Sequence, residues 1–125
     1  MKNLLYFVFV FCIFGCGSQA EQKMQQHFSN GKLVYKNNCA NCHGDAGEGL
    51  AQLIPPLQKS DYLKQNFDKL PQIITNGLQG EILVNGVPYN QPMQAITTLT
   101  KVDIGYLMSY MSKAFLQKDS IYVLK

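Results

Sequence analysis

The sequence predicts an all-α domain of about four short helices, with one small β-hairpin near residues 82-89. Two observations favour helices. Apolar residues recur at helical spacing near residue 35 and beyond residue 100, and helix-starting and helix-ending residues bracket two shorter segments between them. The hairpin is predicted by Asn85-Gly86 between two apolar arms, because both turn positions must tolerate positive φ. A chain of 125 residues is long enough for one domain.

The first fifteen residues have the pattern of a signal peptide. Lys2 is followed by an unbroken apolar run over residues 4-14, and the small residue Gly15 precedes Cys16. A run of this length is too short to cross a bilayer as a helix, so a retained transmembrane anchor is the weaker alternative. We therefore expect the protein to be exported.

The residues Ile13-Phe14-Gly15-Cys16 resemble a bacterial lipobox, in which the cysteine becomes the first mature residue and carries acyl chains. Residues 16-29 would then be a lipidated N-terminus and a flexible tether, because this segment is polar, glutamine-rich and weakly periodic. The alternative is an ordinary signal peptide cleaved near Ser18 or Ala20. The sequence thus favours a lipid anchor at Cys16 on the periplasmic side of a bacterial membrane.

The folded domain is expected over residues 30-118, with a short, frayed C-terminal tail over residues 119-125. Ser60 is the expected N-cap of one short helix, and Pro71 and Gly77 begin and end another. Thr100 and Asp103 form a capping-box-like start for the last helix. The predicted helices span residues 30-39, 60-64, 70-76 and 102-116.

The segment Cys39-Ala40-Asn41-Cys42-His43 carries the strongest functional signal. Two thiols one helical turn apart can add across the two vinyl groups of one haem, and the imidazole that follows can bind its iron. This spacing is the attachment signature of covalent c-type haem. Because the motif occurs once, the sequence predicts one haem.

Two other chemistries use the same cysteine spacing. A structural zinc site takes four ligands, but beyond the motif the chain offers only His27 and two cysteines of the leader. A thioredoxin-like pair normally opens a helix after a strand, whereas this pair closes a helix and is followed by a glycine-rich loop. Zinc and dithiol chemistry therefore stay open as weaker alternatives.

The second iron ligand decides between electron transfer and catalysis. The candidates are Met24, His27, Met93, Met108 and Met111. Met93 is the best placed, because it lies in a proline-bordered loop that can cross the distal face of a haem. A haem enzyme or gas sensor with a displaceable distal ligand needs a distal acid or base. The chain has no arginine, and its only histidine besides His43 is His27. We therefore expect an electron carrier with no catalytic residues.

The motif and several other segments together resemble the class I c-type cytochromes, which are small monohaem electron carriers. The resemblance covers roughly residues 31-116, and it implies the cytochrome c fold around one covalent haem. The residues that carry it are Cys39-Ala40-Asn41-Cys42-His43-Gly44, Pro55-Pro56-Leu57, Asn76-Gly77-Leu78, Gly80, Val84-Asn85-Gly86, Tyr89 and Met93, together with Gly31, Tyr35, Leu107 and Tyr110 in the terminal helices.

This resemblance also implies the roles of individual residues. Cys39 and Cys42 would bind haem c covalently, with His43 as the proximal iron ligand and Met93 as the distal one. A carbonyl of Pro55-Pro56 would accept a hydrogen bond from the second ring nitrogen of His43.

Tyr89 would also belong to the haem pocket. The implied partners are a redox donor and acceptor, such as a terminal oxidase, a nitrite reductase or a membrane dehydrogenase. A fixed haem subunit of a membrane complex is the alternative to a free carrier.

The charge of the chain gives no sign of a nucleic-acid partner. From Cys16 onward there are ten lysines and eight acidic residues, and the lysines are scattered rather than grouped in a stripe. A few lysines near an exposed haem edge could steer an acidic partner. Nothing in the sequence indicates an oligomer.

Overall fold

The structure is a computed structural model that describes residues 18-124. The predicted signal peptide and the lipidation site Cys16 lie outside the described residues. Within them the chain forms five α-helices and one two-stranded antiparallel sheet, which confirms the all-α class with a small hairpin. The elements are α1 (Gln19–Asn38), α2 (Ala40–His43), α3 (Asp61–Gln65), α4 (Leu70–Asn76), β1 (Ile82–Val84), β2 (Val87–Tyr89) and α5 (Lys101–Leu116), with a 3₁₀ turn (Phe67–Lys69) between α3 and α4.

The crossing of α1 and α5 is the largest contact between elements. Gly31 is buried at this crossing, and a Cβ atom there would lie only 2.6 Å from the Cβ of Tyr110. Glycine therefore lets the two helix backbones approach closely. The ring of Tyr35 packs against that of Tyr110, with centroids 5.4 Å apart, and Leu107 is fully buried beside them.

Helix α1 begins at Gln19, so the prediction of a flexible tether over residues 16-29 is wrong for residues 19-29. The reason is a capping box. The Ser18 hydroxyl accepts a hydrogen bond from the backbone N–H of Glu21, and the Glu21 carboxylate accepts one from the N–H of Ser18. These two bonds satisfy donors that would otherwise be unpaired at the helix start.

The N-terminal half of α1 also contacts α5, which explains why a polar segment is helical. The ring of His27 stands edge-on to that of Tyr106, with centroids 4.8 Å apart. The ammonium of Lys113 lies 4.4 Å from the centre of the Phe28 ring, a cation–π geometry. No helix among residues 18-124 is long and apolar enough to cross a membrane.

The shorter elements between α2 and α5 follow the predictions closely. The Ser60 hydroxyl caps α3 by accepting a hydrogen bond from the N–H of Leu63, at 3.0 Å. Helix α4 ends at Asn76, before Gly77, and the hairpin pairs Ile82 with Tyr89. The predicted capping box at the start of α5 is also present.

The C-terminal residues do not fray as predicted; they pack back against the domain. The backbone N–H of Tyr122 donates a hydrogen bond to the buried hydroxyl of Ser109, at 2.8 Å. The Tyr122 ring meets that of Phe67 edge-on, and Leu124 packs against the core cluster. A buried serine on α5 thus provides an acceptor that fixes the tail.

Candidate haem site

The predicted attachment motif lies where two helices meet. Helix α1 ends at Asn38, Cys39 serves as its C-cap, and α2 carries Cys42 and His43. The backbone N–H groups of Cys42 and His43 both donate to the carbonyl of Cys39, at 3.1 and 2.9 Å. This turn holds the two sulfur-bearing residues three positions apart on one tight bend. Cys39 is buried and Cys42 is exposed.

A cavity of about 350 Å³ opens beside this motif, and its walls are mostly apolar. Side chains from the motif, the segment after it, α4, the hairpin and the following loop form the walls, and none of them is a lysine or a carboxylate. An apolar space next to paired cysteines suits an apolar macrocycle. The walls include all the residues predicted to hold haem, namely Cys39, Cys42, His43, Pro55, Pro56, Tyr89 and Met93.

One hydrogen bond fixes the ring of His43. Its Nδ1 lies 3.0 Å from the carbonyl oxygen of Pro55, which is the bond that the family resemblance implies. A carbonyl can only accept, so Nδ1 carries the hydrogen and Nε2 keeps its lone pair. Burial lowers the pKa of His43, against a smaller opposing effect of the Pro55 bond. The ring is therefore neutral near pH 7, as an iron ligand requires.

The glycine-rich loop after the motif holds the Pro55 segment close to His43 through backbone contacts. The N–H of Gly49 donates to the carbonyl of His43 at 2.7 Å. A Cβ atom at Gly49 would lie 2.8 Å from the carbonyl carbon of Pro55, so glycine allows the Pro55 segment to approach this loop closely. The Tyr35 hydroxyl donates to the carbonyl of Gly44 at 2.7 Å, which ties α1 to the same loop.

Two backbone hydrogen bonds position Met93 at the cavity. Met93 and Leu78 form an isolated antiparallel bridge, with N···O distances of 2.9 and 3.0 Å. Gly77 makes this approach possible, because a Cβ atom there would lie 2.6 Å from the carbonyl oxygen of Met93. The N–H of Ile96 bonds the carbonyl of Ile74, at 2.8 Å, and closes the loop onto α4.

The other candidates for the distal ligand are placed differently. Met111 also forms part of the wall, but its helix position buries it in the core. Met108 is fully buried and does not line the cavity, and Met24 and His27 on the outer half of α1 do not line it either. Met93 is thus the one candidate that combines a cavity position with a loop backbone.

The zinc and dithiol alternatives gain no support from the structure. Across residues 18-124 there is no group of three or more histidine, cysteine or acidic side chains that could hold a metal ion. Burial raises the pKa of the Cys39 thiol to about 12, with a smaller effect of Cys42. A redox-active cysteine needs the opposite shift, because the thiolate is the reactive form.

Sequence reasoning missed several polar residues of the cavity wall, among them Ser60 and Tyr62. The sequence identifies Ser60 only as a helix cap and gives Tyr62 no role, yet both line the cavity beside α3. Their position depends on how α3 packs against the hairpin, through reciprocal hydrogen bonds between Asp61 and Asn85. A contact between residues 24 positions apart leaves no local signal in the sequence.

Comparison with known proteins gives a consistent family assignment. A family model described as "Cytochrome c" matches residues 28-115. The chain is 29% identical over 91 residues to "Cytochrome c-552" of Thermus thermophilus, covering 70% of this chain and 69% of that protein. A second Thermus thermophilus protein of the same name is also 29% identical over 91 residues, covering 70% of this chain and 61% of that protein. With its haem-attachment motif inside the matched region, the chain belongs to the cytochrome c family of haem-binding electron carriers.

Proposed function

We propose that the protein is a monohaem, one-electron carrier in which His43 and Met93 are the two axial ligands. The observation that carries this proposal is the convergence of His43, Met93 and both motif cysteines on one apolar cavity. Bound haem c supplies a Fe(III)/Fe(II) couple. Cys39 and Cys42 keep it covalently attached, and the bond from His43 to Pro55 orients the imidazole for the iron.

The character of the cavity also supports electron transfer rather than catalysis. A thioether from Met93 would favour Fe(II) and so raise the reduction potential relative to a bis-histidine haem. Two protein ligands leave no open position for a substrate. In the part of the chain that the structure describes, no carboxylate, lysine or second histidine lines the cavity.

A spectroscopic experiment tests the axial ligands. Ferric haem with a methionine ligand shows a weak long-wavelength absorption band that reports the iron–sulfur bond. We expect this band in the native protein, its loss in Met93→Ala, and its retention in Met24→Ala, a matched control outside the cavity. A band that survives Met93→Ala would refute the assignment, and rapid carbon monoxide binding by the native ferrous protein would favour the gas-sensor alternative.

The cellular setting is a further part of the proposal. The leader pattern supports export and lipidation at Cys16, on the periplasmic side of a bacterial membrane. Because α1 begins at Gln19, a lipid at Cys16 would hold the domain close to the membrane surface. Its partners would be a redox donor and acceptor such as a terminal oxidase, a nitrite reductase or a dehydrogenase.

Two measurements test this setting. Mass spectrometry of the mature N-terminus should find acylated Cys16, and an unmodified start beyond Cys16 would contradict the anchor. Size measurement after purification with and without detergent separates a free carrier from a fixed subunit. A stable complex with a membrane oxidoreductase would favour the fixed haem subunit.

A further inference from the structure

The buried hydroxyl of Tyr35 is joined to the glycine-rich loop over residues 44-49. The Tyr35 side chain is 1% exposed, and it does not line the cavity. Its hydroxyl donates a hydrogen bond to the carbonyl of Gly44, the residue after His43, at 2.7 Å. Phenylalanine would fill the same space without this donor. Packing at the helix crossing therefore accounts for the ring of Tyr35 but leaves its hydroxyl to be explained.

Helix α5 fixes the position of this donor. The centroid of the Tyr35 ring lies 5.4 Å from that of Tyr110 and 5.6 Å from that of Phe115, and both of those residues belong to α5. Phe115 also lies against the loop, because a Cβ atom at Gly47 would be 2.7 Å from its ring. Since packing already orders the phenol, its hydrogen bond to the loop costs little further side-chain entropy.

Backbone hydrogen bonds extend this contact from Gly44 to the segment that orients His43. The carbonyl of Gly44 also accepts a bond from the N–H of Gly47, at 3.2 Å. The carbonyl of Gly47 in turn accepts a bond from the N–H of Leu57, at 2.8 Å. Leu57 lies two residues after Pro55, whose carbonyl faces Nδ1 of His43. These bonds connect α1 to the acceptor of the imidazole hydrogen.

We propose that the Tyr35 hydroxyl is a positioning group for the proximal ligand His43. By fixing the glycine-rich loop, it keeps the carbonyl of Pro55 in place to accept the hydrogen bond of the imidazole. The inference rests on the proposed function, because it concerns how one of the two axial ligands is held. A hydrogen bond from Nδ1 makes the imidazole a stronger electron donor, which favours Fe(III). A looser bond should therefore favour Fe(II).

The holoprotein of Tyr35→Phe tests the proposal, because the ring is retained and one hydrogen bond is lost. Nuclear magnetic resonance measures how fast the Nδ1 hydrogen of His43 exchanges with deuterated solvent. We expect exchange about fivefold faster than in the native protein, the factor that one hydrogen bond of ordinary strength supplies. At a fixed electrode potential, the Fe(II)/Fe(III) ratio should rise about twofold, which corresponds to about 18 mV for a one-electron couple.

Tyr110→Phe is the matched control. It removes a phenol hydroxyl from the same ring cluster, and within residues 18-124 that hydroxyl makes no hydrogen bond to the glycine-rich loop. This variant should change neither the exchange rate nor the Fe(II)/Fe(III) ratio. Equal changes in both variants would overturn the proposal. It would also be overturned if Tyr35→Phe lost stability while the His43 hydrogen exchanged at the native rate, because the hydroxyl would then serve only the helix crossing.

A measurement on the native protein needs no substitution. If the loop links the two groups, the hydroxyl hydrogen of Tyr35 and the Nδ1 hydrogen of His43 should both be protected and should become exposed in the same local opening. A hydroxyl hydrogen that exchanges freely while the imidazole hydrogen stays protected would contradict the link.

Failure of the proposed function would look different. It would show in the native protein as absent covalent haem or an absent iron–methionine band, before any Tyr35 variant is compared.

Discussion

Substitution of Gly77 by alanine should loosen the Met93 loop more than it unfolds the domain. Gly77 has φ 77° and ψ −179°, a conformation that is essentially restricted to glycine. An alanine Cβ atom would also lie 2.6 Å from the carbonyl oxygen of Met93 and 3.1 Å from the backbone nitrogen of Ala95. Both atoms belong to backbone, so the loop itself must move.

The magnitude follows from these two effects. The unfavourable backbone conformation costs about 1–3 kcal/mol. Displacement of the loop also strains the two hydrogen bonds between Leu78 and Met93, each of which contributes about 1 kcal/mol. We therefore expect Gly77→Ala to lower the free energy of unfolding by about 2–4 kcal/mol. The part that arises from loop displacement should specifically weaken the proposed bond from Met93 to iron.

Gly80→Ala is the matched control. Gly80 also has a positive φ, 89°, but a Cβ atom there would meet nothing within 4 Å. Its substitution carries the backbone cost without displacing Met93. Urea denaturation of both holoproteins measures the loss of stability, and titration of the ferric proteins with imidazole measures how easily Met93 is displaced. An excess cost of about 1–2 kcal/mol in Gly77→Ala corresponds to about 5–30-fold tighter imidazole binding.

The reasoning would be refuted if the two variants bound imidazole equally well and kept the same iron–methionine band. Contact between Gly77 and Met93 would then have no bearing on the distal ligand. A Gly77→Ala protein that lost stability but bound imidazole with native affinity would likewise contradict a role of Gly77 in holding the distal ligand.

Three further predictions concern stability. The Nδ1 atom of His27 is buried without a hydrogen-bond partner. Burial, and to a lesser extent Lys23, lowers the pKa of His27, so folding favours the neutral ring. Urea denaturation should show that the free energy of unfolding falls as the pH decreases through 6.5, the ordinary pKa of histidine. His27→Gln should lack the part of this pH dependence that His27 contributes. Identical pH profiles of the two proteins would exclude a contribution of His27. Ser109→Ala removes the acceptor of the Tyr122 N–H and should cost about 1–3 kcal/mol, with faster hydrogen exchange in the tail; unchanged exchange would contradict its role. Cys39→Ala with Cys42→Ala should give a largely unfolded apoprotein by circular dichroism, and full native helicity without haem would disprove this expectation.

Local signals predicted much of the fold and of the site. The caps at Ser60 and Thr100, the stop at Gly77 and the Asn85-Gly86 turn all act within a few residues, and each lies where it was expected. The attachment motif is also local. Its spacing can therefore be recognised before the walls of the cavity are known.

The predictions of a flexible tether and of a frayed C-terminal tail are wrong because contacts with distant residues decide the structure there. Ser18 and Glu21 have the spacing of a capping box, a signal that the prediction of a tether does not use. Contacts with a distant helix, such as that of His27 with Tyr106, show why the segment is helical. The C-terminal tail is held by Ser109 and Phe67. No sequence pattern near residue 122 predicts its contacts with Ser109 and Phe67.

The crossing at Gly31 has a consequence for the order of events during folding. The most extensive contact between the described elements joins α1 to α5, which comes last of them in chain order. Long-range contacts of this kind form only when both helices are available to meet. We therefore expect the segment from Cys39 to His43, which lies between these helices in the chain, to be accessible before they meet. Haem attachment would then precede the closing of the terminal helices, and folding would enclose the cofactor.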